Sequence, residues 1–266
     1  MLGDQKVGLV PYETSIWGKP PVDRGPEGLN VVAMSAAALV HAARQLVQMP
    51  GAEKLKVRSG EHIAAILLTA LHSLPVEVDE DGGVDLVFER AGIQAAWPFG
   101  DSVGAAVEIK SLPGKWRKHE YNMRLGDTYQ IEVQNAVQIL ELASKKIMEA
   151  VEALQQKVGA SATSKNAFMI IHPMDGLAVE LISGGPVIGH LLPALDERVA
   201  LDSLWVYWYP GLLSKWSQKD RNWTEYLFAG ASPDEPPLED DIEVAEDVFL
   251  KGIGWTGGSP WRMAFS

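Results

Sequence analysis

Glu108-Ile109-Lys110 follows Gly104-Ala105-Ala106-Val107, a run that is otherwise apolar. Residues two apart on a strand point the same way, so Glu108 and Lys110 share one side and Ile109 takes the other. Two charges at the end of a buried strand are costly unless they have partners. Asp85 stands 23 positions before Glu108, at the start of a second strand-like run, Val84 to Arg90. Two carboxylates and an ammonium on neighbouring strands are the groups that magnesium-dependent phosphodiester cleavage needs. Hard cations take oxygen ligands, so Asp85 and Glu108 can hold the ion. Such an ion lowers the pKa of a bound water and offsets charge on the phosphate oxygens. Lys110 can orient that water or touch the phosphate as a point charge. Asp101, in Gly100-Asp101-Ser102, is an alternative metal ligand, but its surroundings read as a turn whereas those of Asp85 read as a strand.

The elements that would position these residues follow from local pattern. Residues 1–28 hold four prolines and read as an extended arm. Residues 29–49, rich in Ala and Leu and closed by Pro50-Gly51, read as a buried helix. Ser59-Gly60-Glu61 opens a second helix that ends before Pro75, with Ser59 as its cap and Glu61 in the first turn. Residues 75–81 and 84–90 read as two strands joined at Gly82-Gly83, and 104–111 as a third. The longest helix runs from about Thr128 to Val158, with an apolar stripe that suits either cover for a sheet or a dimer helix. Residues 167–173 and 177–183 follow as strands. Ser203 to Gly211 reads as an aromatic strand, and 229–247, rich in Asp and Glu without Lys or Arg, as a solvated loop.

Asp85 followed by Glu108-Ile109-Lys110, in the order helix, strand, strand, strand, helix, strand, resembles the PD-(D/E)XK phosphodiesterase superfamily. The resemblance covers roughly residues 59–183. It implies an α/β restriction-endonuclease-like core, a three-strand meander between two helices with a further strand. Residues 1–58 would form an N-terminal helical arm packed on the core, and 184–266 an aromatic and acidic C-terminal extension. It also implies Asp85, Glu108 and the Ile109 backbone carbonyl as metal ligands, Lys110 beside the attacking water, and Glu61 as an assisting acid on the first core helix. The pattern departs from the family where Gly82-Gly83-Val84 precedes Asp85 in place of a proline.

The chain of 266 residues carries 23 Lys and Arg against 35 Asp and Glu, for a net charge of −12, and has no cysteine. Disulfides, thiolate metal sites and cysteine nucleophiles are therefore excluded. Bulk charge disfavours nucleic acid, so any grip on a phosphate backbone must be local. Lys115, Arg117 and Lys118, just past the third strand, are the sequence's best choice for it. No apolar run reaches membrane length, and no signal peptide opens the chain, so a cytoplasmic home is expected. The expectation is a nuclease using Mg2+ or Mn2+ that hydrolyses DNA, in prokaryotic defence or repair if the family is a guide. The alternative is a catalytically silent subunit of the same fold that binds a protein partner; a homodimer fits either reading.

Overall fold

The computed structural model describes residues 30–35, 37–71, 74–78, 83–90, 97–112, 136–158, 163–172, 194–229 and 241–262. The strands are β1 (Asn30–Ser35), β2 (Pro75–Glu77), β3 (Leu86–Glu89), β4 (Gly104–Leu112), β5 (Thr163–Ile171), β6 (Ser203–Trp208), β7 (Leu212–Ser217) and β8 (Asn222–Ala229). The α-helices are α1 (Ala37–Val47), α2 (Glu61–Ala70), α3 (Ala136–Lys157) and α4 (Asp241–Gly252). All eight strands join one mixed sheet in the order β1-β8-β7-β6-β5-β4-β3-β2, so the protein is α/β.

β2, β3 and β4 form an antiparallel meander; α3 then carries the chain across so that β5 lies parallel to β4. β4 is buried on both faces because α-helices cover both. Ala105, Val107 and Ile109 pack under α1, α2 and α4, while Ala106 and Leu112 pack under α3 with Ile147, Ala150, Val151 and Leu154. The apolar stripe of the long helix thus serves as sheet cover. Among the described residues no helix is long and apolar enough to cross a membrane.

Three expectations are corrected. Residues 30–35 are strand, not the first turns of a helix, because they pair parallel with β8 over Asn30–Ser35; that tertiary ladder overrides the helix preference of the alanines that follow. Part of the acidic run is helix: in α4, Ile242, Ala245, Phe249 and Leu250 are buried, a spacing that puts them on one face. The residue at the N-cap of α2 is Gly60 rather than Ser59. Gly60 has φ +81°, and a Cβ there would meet the Ile170 side chain at 2.5 Å and the Trp261 ring at 2.9 Å. Glycine alone fits both the left-handed backbone and the close approach. β6 to β8 extend the same sheet, so the C-terminal part completes the layer that holds β4. The extended arm at 1–28, the strand expected at 177–183 and the basic residues Lys115, Arg117 and Lys118 lie outside the described residues.

Candidate active site

The β3–β4 register sets the site. Leu86 pairs with Val107, so Asp85, one step earlier, stands across from Glu108. Its Oδ2 accepts the Ile109 backbone N–H at 2.7 Å, a side-chain bond made where the ladder stops. Glu108 and Lys110 take the α3 side of β4, and the Ile109 side chain is buried on the other. Lys110 Nζ donates to Glu108 Oε1 at 2.8 Å, and Lys157 Nζ, from the last turn of α3, reaches Oε2 at 3.5 Å.

Glu61 arrives from the first turn of α2. Its Oε2 accepts the Lys56 backbone N–H at 2.8 Å, and Lys56 Nζ lies 3.3 Å from Oε1. Lys56 Nζ also stands 4.0 Å from Asp85 Oδ1. The start of α2 is held from behind by a buried pair, His62 Nε2 to Glu246 Oε1 at 2.7 Å, both side chains fully buried. A carboxylate only accepts, so Nε2 carries the proton. Ser259 Oγ donates to the same oxygen at 2.7 Å and the Tyr209 hydroxyl to the other at 3.3 Å. Glu61 and His62 are neighbours, so this pair fixes the turn that presents Glu61.

Lys56, Glu61, Asp85, Glu108 and Lys110 line one cleft of about 390 Å³, with Lys146 and Lys157 beside them. The structure thus brings Glu61, Asp85, Glu108, Ile109 and Lys110 together. It does not bring Asp101, whose exposed carboxylate pairs with Lys219 at 2.5 Å outside the cleft lining; a turn tip facing solvent carries it there. The sequence reading missed Lys56, Lys146 and Lys157. Among the described residues, Lys56, Lys110 and Lys157 balance the three carboxylates, while Lys146 is paired with Glu149 at 2.6 Å, so the cleft is lysine-lined although the chain carries −12.

Burial raises the carboxyl of Asp85 above its ordinary range, and the Glu108 charge pushes it the same way; the Ile109 N–H and Lys110 only partly oppose this. Burial also raises Glu61, against the pull of Lys56, whose own pKa Glu61 raises. At these two carboxyls the folded chain therefore holds more protons than the unfolded one above the ordinary carboxylate range, about pH 4. The stability these two groups contribute then falls as pH rises through that window. Asp85→Asn keeps an acceptor for the Ile109 N–H and removes the charge. In urea unfolding across a pH series, the variant should match or exceed wild-type stability at neutral pH and show a flatter pH dependence. Lower stability than wild type at neutral pH would refute this electrostatic reading.

Asp85 and Glu61, partly desolvated carboxylates, are oxygen donors suited to Mg2+ or Mn2+, and among the described residues no histidine lines the cleft. Among the described residues no three His, Asp or Glu side chains form a ready cage. Magnesium does not require one, since it is commonly held by one or two carboxylates, waters and substrate phosphates. The residues therefore fit the ion. The chain matches no family model, and no curated protein or solved structure is found to be similar to it.

Proposed function

We propose that the protein is a metal-dependent nuclease with a restriction-endonuclease-like core, hydrolysing DNA phosphodiester bonds in the cleft between β3, β4 and α2. The observation that carries this reading is the meeting of Asp85, Glu108 and Lys110 in a lysine-lined cleft on a strongly acidic chain. The order α2-β2-β3-β4-α3-β5, with β4 flanked by β3 and β5, supports it.

Asp85 and Glu108 would hold the ion, with the Ile109 carbonyl as the family resemblance implies. When bound, the ion lowers the pKa of a water and offsets charge on the phosphate oxygens. Lys110, held at 2.8 Å by Glu108, orients the attacking water or anchors the phosphate. Glu61 adds negative charge on the Asp85 side and keeps Lys56 at the rim. The lysines supply the local attraction that a net charge of −12 otherwise denies to a polyanion.

The test is incubation of the purified chain with plasmid, linear duplex, single-stranded DNA and RNA in Mg2+, Mn2+ and Ca2+. Cleavage of DNA in Mg2+ or Mn2+, abolished by excess chelator, is expected. Undiminished cleavage in chelator would remove the carboxylate metal site. Cleavage of RNA alone would move the substrate, and no cleavage of any nucleic acid would favour the silent subunit.

A further inference from the structure

Among the described residues, every carboxylate lining the cleft already has an ammonium beside it. Lys110 and Lys157 take one oxygen each of Glu108, at 2.8 and 3.5 Å. Lys56 stands between Glu61 and Asp85, at 3.3 and 4.0 Å. Lys110 and Glu108 belong to one strand, so that pair is fixed by the backbone. Lys56 and Lys157 are different. They come from other elements, on long flexible stems, and their side chains are 65% and 25% exposed, so both heads have a route to solvent.

We infer that Lys56 and Lys157 are built-in counter-cations of the metal site. They neutralise Glu61, Asp85 and Glu108 while no divalent ion is bound, yield those oxygens to the ion, and turn to the phosphates of the substrate. The inference rests on the nuclease reading above. An oxygen that serves an ammonium cannot offer the same lone pair to a metal, and the two cations repel each other. With Lys146 paired to Glu149, Lys56, Lys110 and Lys157 balance the three carboxylates among the described residues, and a divalent ion leaves an excess of two. Freed ammonium groups in such a cleft gain most by pairing with a polyanion. The same exchange would couple the two ligands: an ion bound first releases the groups that grip the backbone.

The test uses Lys56→Met and Lys157→Met in the full chain, with Lys145→Met as control, since Lys145 is exposed on α3 and outside the cleft lining. Mn2+ alone is titrated by calorimetry, and a short DNA duplex in Ca2+ by anisotropy over a salt series. Removing a counter-cation should tighten Mn2+ binding roughly tenfold, as loss of one nearby repelling charge implies. The same variants should bind the duplex more weakly, with a salt slope smaller by about one unit. The control should change neither. A lysine that merely favours the C-terminal end of α3 or holds a loop would alter melting temperature without tightening ion binding. Unchanged or weaker Mn2+ binding in both Met variants overturns the inference while leaving the nuclease reading standing. If wild type takes up no Mn2+, or Glu108→Gln takes it up as wild type does, both fall.

Discussion

Glu108→Gln is expected to slow DNA cleavage by about a thousandfold, and Asp85→Asn to do the same. The magnitude follows from what the carboxylates would do. Holding an ion against the reacting phosphate stabilises the transition state by several kcal/mol, and about 4 kcal/mol is a factor of about a thousand. The folds should survive. Asn at 85 still accepts the Ile109 N–H, and Gln at 108 still offers an oxygen to Lys110. Lys110 and Lys157 both reach solvent, so losing their charged partner costs about 1 kcal/mol each. Asp101→Asn should leave cleavage unchanged, because its carboxylate is exposed and paired with Lys219. Single-turnover rates at saturating protein read these effects free of binding. Wild-type rates in Glu108→Gln would disprove the role given to that residue.

Glu246→Ala should destabilise the protein by about 3 kcal/mol. Its carboxylate is fully buried and accepts from His62, Ser259 and the Tyr209 hydroxyl. Arg262 adds an ion pair at 3.6 Å. Truncation leaves His62 Nε2 and the Tyr209 hydroxyl buried without their acceptor. The Tyr209 hydroxyl, already held protonated by burial and by the Glu246 charge, would lose its partner. Glu246→Gln, which keeps one acceptor oxygen, should cost less. Urea midpoints measure both. Because His62 follows Glu61, cleavage by Glu246→Gln should fall further than its lost stability explains. A Glu246→Ala variant as stable as wild type would show that the pair does not anchor α2.

The centre of the site was legible because its signals are local. Period-two alternation at Glu108, Ile109 and Lys110, in a run buried on both faces, marks two charges that need partners. Asp85 was legible as the polar start of the strand that pairs with it. Lys56 and Lys157 were not, since only the packing of α3 and of the turn before α2 carries them to Glu108 and Glu61. β1 was read as helix because its partner strand lies almost two hundred residues away, at Asn222–Ala229, and no local pattern announces that ladder. Acidity hid α4: its apolar face is spaced for a helix, but the acids between suggested only solvent. One of those acids, Glu246, turned out to be fully buried against His62, a pairing that spans 184 residues and has no local signature.

The central claim is that this cleft cuts DNA. Its most direct measurement is cleavage of a linear duplex in millimolar Mg2+ by wild type beside Asp85→Asn/Glu108→Gln, the two proteins purified alike and both shown folded by their melting curves. Cleavage by wild type that chelator stops is expected, and none above background by the double variant. Equal cleavage by both proteins, or by neither in any divalent ion, would contradict the claim.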